Sequence, residues 1–400
     1  LRLCVDYRGL ARKIIQHALP LPNIEEALQS ARGATFFSSC DLTSGYWQLK
    51  VAEGSRHKTA FRPGCGGLYE FLTCPMGTKN ACASFQDNME HIFAEDLHNG
   101  IIVYIDDILI MADSFEGEMD RLRSMFTKLR QHNLKLKPSK CKFFAEKISF
   151  LGHILSKDGI STDPEKIRAV RDLPQPTSFA ELHRVLGFFG YYRRFVRDYA
   201  KIAAPLHVAL TFAPSRKNAS KTIYAAPAQK KLFAEVWNED CVQAFEALRE
   251  RLMSTDVLAY PDFSREFILE TDAGLKGLGA VLSQRQDNGA VKVIAYASRA
   301  LRPNEKNDAC FSSKRLELLA LKWAITEKFS PYLQGARFVV FTDSNPLATL
   351  QTGSLNATEM RWAAQLGRYS FTIKHRPGRE NRNADTLSRM PVPELQEVED

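Results

Sequence analysis

No Cys-x-x-Cys pair occurs among the eight cysteines of this 400-residue chain, which argues against a zinc site. Scattered singly, they read as reduced thiols of an intracellular protein. No apolar run is long enough to span a bilayer and no signal peptide opens the chain, so no membrane partner is expected. A Gly-x-x-x-x-Gly-Lys-[Ser/Thr] loop is absent as well, which excludes a P-loop nucleotidase.

What is present fits an ordinary globular chain, with 44% hydrophobic and 25% charged residues. Four hundred residues exceed one compact core and predict two or three domains. The net charge of +8 favours a polyanionic partner without proving one.

The most informative stretch is Ile101-Ile-Val-Tyr-Ile-Asp-Asp-Ile-Leu-Ile-Met111. An apolar run is broken by two carboxylates and then resumes, which predicts two strands and a tight turn carrying Asp106 and Asp107. Flanking buried strands make such a pair costly unless a cation compensates it. Side-by-side hard oxygens suit magnesium. An isolated Asp-Asp is most often a plain surface turn. A third carboxylate in a similar setting, Asp41 after the strand-like Thr35–Cys40, shifts the balance toward a metal site for a nucleoside triphosphate.

Tyr104-Ile-Asp-Asp107, preceded by Asp41-Leu-Thr-Ser-Gly-Tyr-Trp-Gln48, resembles the reverse transcriptase of gypsy-type LTR retrotransposons. The resemblance runs over nearly the whole chain. It implies an α+β fold: a right-hand polymerase of fingers, palm and thumb, followed by an RNase H-like mixed sheet with flanking helices. By the same resemblance Asp41, Asp106 and Asp107 are catalytic metal ligands, and Arg2, Tyr46 and Met76 face the nucleotide. Tyr46 would lie beneath the sugar and reject a 2′-hydroxyl; a packed core tyrosine is the plain alternative. Gln86 and Gly152 would face nucleic acid, Gly152 in a primer-gripping hairpin at Phe150-Leu-Gly-His153. Met76, Thr78 and Cys82 stand where the family usually has Phe, Leu and Pro, which predicts tuning. The family's first fingers strands do not precede Leu1, so we expect a fragment excised from a Pol polyprotein, with the protease and integrase elsewhere on it.

Taken in order, Leu1–Arg8 alternates like a strand. Asn23 caps a short helix to Ala31. Lys58–Phe71 suggests a hairpin with a glycine-rich tip. Phe85, Met89, Ile92, Phe93 and Leu97 predict one helical face, and Met119, Leu122, Met125, Phe126 and Leu129 another. Lys135, Lys137, Lys140 and Lys142 read as a basic face that could track phosphates. Asp163-Pro-Glu165 opens a helix, and Ser178 with Glu181 forms a capping box. These boundaries give fingers and palm over 1–155, a thumb-like region over 156–212, and a flexible basic insert over 213–236. A connection over 237–262, an RNase H domain over 263–389 and a tail over 390–400 follow.

Within 263–389 the pattern is three strands, a helix, a strand, a helix, a strand and a final helix. Asp272, Glu317, Asp343 and Asp385 fall near the ends of these elements. Each alone is weak; together they suggest two metals flanking a phosphodiester. The surroundings resemble retroelement RNase H, which implies that these four are catalytic metal ligands and that His375 is its mobile histidine.

The resulting expectation is an RNA-directed DNA polymerase and ribonuclease H that copies RNA into DNA and degrades the RNA strand of the hybrid. It would use two Mg2+ per site, with Mn2+ as a substitute. Its partners would be an RNA template, a DNA primer, the RNA–DNA hybrid and deoxynucleoside triphosphates, and a homodimer is admissible. It would work in the cytoplasm within virus-like particles. The rival is a truncated or domesticated copy that binds nucleic acid or retains RNase H alone; primer extension separates them.

Overall fold

The computed structural model describes residues 5–375 except 17–18, 20, 65, 98, 215–226, 255–256, 275–276, 303–304, 306–312 and 343–355. Arg2, Asp343 and Asp385 therefore lie outside the described residues, as does the expected final helix. The chain divides into two units at Asp163/Pro164.

In the first unit the apolar runs around Asp106–Asp107 form the expected hairpin. Strands β1 (Phe36–Asp41), β2 (Ile101–Tyr104), β3 (Asp107–Ala112) and β4 (Lys142–Ala145) make one antiparallel sheet in the order β2-β3-β1-β4. Val103, Ile108 and Ile110 turn inward against Phe85, Met89 and Phe93 of the helix Ala81–Ile92 and its C-terminal turn, and against Leu122, Met125 and Leu129 of the helix Phe115–Gln131. Each such burial contributes roughly 1.5–3 kcal/mol. The Ser114 hydroxyl accepts from Gly117 N at 3.2 Å and starts the second helix.

Phe126, expected on the buried face of that helix, is 42% exposed, and Glu118 is fully buried in the apolar stripe instead. Positions 118, 122, 125 and 129 share one helical face by geometry, so the carboxyl goes in with its leucines. Strands β5 (Lys147–Phe150), β6 (His153–Ser156) and β7 (Gly159–Thr162) form a second small sheet. The β5–β6 turn is Leu151-Gly152 with φ of 47° and 74°, the left-handed pair a two-residue hairpin needs.

Two expectations in this unit are corrected. Among the described residues the strand expected over Leu1–Arg8 does not form: 5–7 is irregular, and Arg8–Ala11 is a helical turn whose Arg8 is tied to Asp6. The 58–71 hairpin reduces to one bridge, Phe61 with Tyr69, after a 3-10 helix at Glu53–Thr59.

The second unit begins with the helix Pro164–Arg171, as the Asp-Pro-Glu signal predicts, followed by Phe179–Tyr191. Ser178 accepts from Glu181 N at 3.4 Å, but the Glu181 carboxylate turns to Thr177 N at 2.8 Å, so only half of the capping box forms. The span 213–236 is not all insert: Pro227–Val236 is a helix. Its Phe233 is buried, edge-on to Phe179 and stacked on Trp237, an apolar anchor that outweighs the Ala/Lys composition.

A five-stranded sheet follows in the order β10-β9-β8-β11-β12. It contains β8 (Phe267–Gly274), β9 (Gly277–Arg285), β10 (Val291–Arg299), β11 (Arg337–Thr342) and β12 (Ser370–His375). β8, β9 and β10 are antiparallel neighbours, whereas β8, β11 and β12 run parallel. The helix Ser313–Trp323 packs against β8, and its Leu316, Leu319 and Ala320 join the core with Leu269 and Val340.

Candidate active sites

In the β1–β3 ladder Asp41 stands directly opposite Asp107, and Tyr104 pairs with Asp107 across the β2–β3 turn. Asp106 lies in that turn, and its carbonyl accepts from Leu42 N at 3.0 Å. The register thus gathers three carboxylates at one end of the sheet from positions 66 residues apart.

The turn is held from below. Ile105 has φ of 55°, an unfavourable conformation for a β-branched residue. Its N–H donates to Gln86 Oε1 at 2.6 Å, while Gln86 Nε2 donates to Val103 O at 3.1 Å and Glu90 Oε1 at 2.8 Å. Gln86 is 2% exposed: the residue expected to face nucleic acid lies beneath the turn. Gly45 comes so close that a Cβ there would meet Phe85 at 3.0 Å and Asp106 at 3.2 Å.

Charge compensation comes from an unexpected residue. Lys140 Nζ donates to Asp41 Oδ2 at 2.6 Å. The sequence puts Lys140 on a basic face that could track phosphates; its contact spans 99 residues and is set by tertiary folding. Gln48 helps to place it, since its amide donates to Thr43 O and Lys135 O and accepts from Lys135 N at 2.7 Å. Lys137 N then donates to Asp41 O at 2.8 Å. Burial, with Asp106 and Asp41 adding repulsion, pushes the Asp107 carboxyl from 3.8 up to about 6, against the Lys140 charge.

Asp41, Asp106 and Asp107 offer the hard oxygens that a divalent cation takes, and Lys140 is a stand-in charge on Asp41. Among the described residues no three acidic, histidine or cysteine side chains are already gathered around one point. Magnesium tolerates this, because it is commonly held by one or two carboxylates plus waters and substrate phosphates.

Tyr46 lies on the short helix Gly45–Gln48 after β1. Its ring is edge-on to Phe85 at 5.6 Å, and its hydroxyl shares a 2.8 Å hydrogen bond with Cys82 Sγ. Burial and the Cys82 contact push the phenol up. The ring is therefore fixed both by packing and by a polar contact. Met76 is half-buried in the turn after Pro75, and Gly152 is at its hairpin tip.

In the second unit Asp272 is near the end of β8 and Glu317 is buried on the helix that packs against β8. β11 runs beside β8 with Phe341 opposite Glu270, and β12 beside β11 with His375 opposite Thr342. The C-terminal ends of the parallel strands β8, β11 and β12 thus lie at one end of the sheet. The Lys201 ammonium is ion-paired with the Asp272 carboxylate, a contact that sequence spacing gave no sign of. Asp272 and Glu317 offer the hard oxygens that a divalent ion takes, and Asp272 already carries a cation in the form of Lys201.

Residues 1–155 match the family model described as reverse transcriptase (RNA-dependent DNA polymerase). Residues 237–340 match the RNase H-like domain found in reverse transcriptase. The chain is 37% identical over 401 residues to the retrovirus-related Pol polyprotein from transposon opus of Drosophila melanogaster, covering 99% of this chain and 38% of that protein. The corresponding polyprotein from transposon gypsy, also of Drosophila melanogaster, is 37% identical over 99% of this chain and 37% of the relative. The chain thus spans less than two-fifths of the length of these relatives. A foamy viral protease-reverse transcriptase solved with double-stranded DNA is similar in fold, with TM-score 0.76, 20% identity and coverage of 94% of this chain and 62% of that one. The same viral protein with an RNA/DNA hybrid gives TM-score 0.71 at 20% identity, covering all of this chain and 50% of the other. Both kinds of domain expected from the sequence are thus matched, the RNase H-like match running over 237–340 where 263–389 was expected.

Proposed function

We propose that this chain is the reverse transcriptase–RNase H segment of a gypsy-type retrotransposon Pol polyprotein, which polymerises DNA on an RNA template and cleaves the RNA strand of the product hybrid. The observation that carries the reading is the pairing of Asp41 with Asp107 across β1–β3, with Asp106 in the adjoining turn.

Asp41 and Asp107 would hold Mg2+ with Asp106 beside them, and Asp272, Glu317, Asp343 and Asp385 would hold it at the RNase H site. Two ions per site would activate the attacking oxygen and neutralise charge on the phosphate. The chain's own groups position the reactants. Gln86 fixes the Asp106–Asp107 turn, and the Tyr46 ring walls the sugar. Lys140 neutralises Asp41, a charge that a bound cation would take over. Arg2 and Met76 belong to the nucleotide's surroundings in this reading, and His375 to the end of the RNase H sheet. The ligands are a primer–template and deoxynucleoside triphosphates. The hybrid is the class bound by the foamy viral relative, and its wide minor groove and 2′-hydroxyls suit recognition by shape.

Two assays on the purified chain test this: primer extension on an RNA template with Mg2+, and cleavage of a labelled RNA–DNA hybrid. Extension and cleavage are both expected. Hybrid binding without either reaction would leave a nucleic-acid-binding protein.

A further inference from the structure

We propose that Lys201 is a tethered competitor for the metal at Asp272, so that an ion taking that carboxylate must displace the ammonium. The inference rests on the reading of Asp272 as a metal ligand.

Lys201 lies on the short helix Tyr199–Ile202, and its Nζ is ion-paired with Asp272 Oδ2 and 3.5 Å from Asp198 Oδ1. The side chain is only 25% exposed, whereas that of Asp272 is 56% exposed. The contact is thus more than a loose surface pair, because the backbone that carries Lys201 is itself anchored. Ala200 N donates to Ser298 Oγ at 2.8 Å, Arg193 Nη2 donates to Ser298 O at 3.3 Å, and Tyr199 is buried.

The sheet is shaped for this approach. Gly279 pairs with Asp272 in the β8–β9 register. A Cβ at Gly279 would meet Asp198 Oδ1 at 2.9 Å, so a side chain there would crowd the helix that delivers Lys201. The cavity left among Arg197, Asp198, Thr271, Asp272 and Gly279 is about 30 Å³, on the order of one water. Magnesium sheds water reluctantly and keeps several ligand waters. With Lys201 in place, an ion that takes Asp272 Oδ2 must therefore displace the ammonium. Two cations cannot share one oxygen without repulsion, so metal entry and ammonium departure are coupled. Polyanionic phosphates of a bound hybrid are the groups able to draw the ammonium off.

The test is Mn2+ binding to the full chain at fixed pH, followed by electron paramagnetic resonance in an Asp41→Asn/Asp107→Asn background that silences the first site. Lys201→Met should tighten the Asp272-dependent site by at least about 5-fold, the lower end of typical site coupling. Lys201→Arg should keep the weak wild-type affinity. If Lys201→Met misfolds by circular dichroism, Lys201→Gln serves the same comparison. Asp272→Asn separates the two claims. Loss of the site in Asp272→Asn with no tightening in Lys201→Met overturns the competition. An affinity unchanged by Asp272→Asn overturns the assignment of Asp272 as ligand.

Discussion

Gln86 Oε1 accepts the N–H of Ile105 at 2.6 Å, holding a β-branched residue at φ 55° between Tyr104 and Asp106. A buried amide on one helix thus fixes the carboxylate turn of a hairpin 19 residues away. Gln86→Leu keeps similar volume but removes the acceptor and both donors. It should destabilise the chain by about 1–3 kcal/mol, the cost of stranding buried backbone groups. A shift of the turn should lower kcat for DNA synthesis by on the order of 10²-fold. Hybrid cleavage should be spared. Chemical denaturation and steady-state extension kinetics check both numbers, and unchanged kcat would remove Gln86 from the positioning of the turn.

Asp107 gives a pH-dependent prediction. Its folded pKa is raised from 3.8 to about 6, so the native state holds that proton more tightly than the unfolded chain. The ionised carboxyl costs stability above pH 6, and the cost fades as pH falls toward 4. In metal-free buffer Asp107→Asn should be more stable than wild type at pH 7–8 by on the order of 1–2 kcal/mol after solvent screening. The two should converge near pH 4. Added Mg2+ should stabilise the wild type more than the variant. Thermal melts across pH with and without Mg2+ measure this, and a gap that widens on acidification would contradict it.

The legible part of this chain is local. The apolar–Asp-Asp–apolar pattern yields β2, the turn and β3 because strands and tight turns are written over a few residues. Asn23 caps its helix as expected, accepting from Glu25 N at 3.0 Å, for the same reason. Long-range pairings leave no comparable mark. Lys140 on Asp41 and Lys201 on Asp272 join residues 99 and 71 apart, and lysines in basic stretches look solvated until folding places them. Glu118 was missed because a charged residue does not count toward an apolar face. The helix Pro227–Val236 escapes a reading by composition because Phe179, the partner of its Phe233, lies far outside the segment.

On the proposed reading, Tyr46 bears on the choice of sugar. Ribose differs from deoxyribose by one neutral hydroxyl, so steric overlap discriminates better than charge. The Phe85 and Cys82 contacts fix the ring. Tyr46→Val should raise ribonucleotide incorporation relative to deoxynucleotide by roughly 10-fold or more, if at least ~1.4 kcal/mol of clash is relieved. Cys82→Ala removes only the hydroxyl's partner and should shift the same ratio less. The ratio of kcat/KM values for the two triphosphates is the measurement. An unchanged ratio in an active Tyr46→Val variant would make the ring a packing group.

The central claim is that two separate carboxylate sites, one built on Asp41, Asp106 and Asp107 and one on Asp272 and Glu317, perform two reactions. Asp107→Asn and Glu317→Gln each remove one charge at nearly constant volume. The direct measurement is extension and hybrid cleavage by both variants, each first shown to be folded by circular dichroism. Asp107→Asn should abolish extension and keep cleavage, and Glu317→Gln should do the reverse. Loss of both reactions in either folded variant would contradict the account.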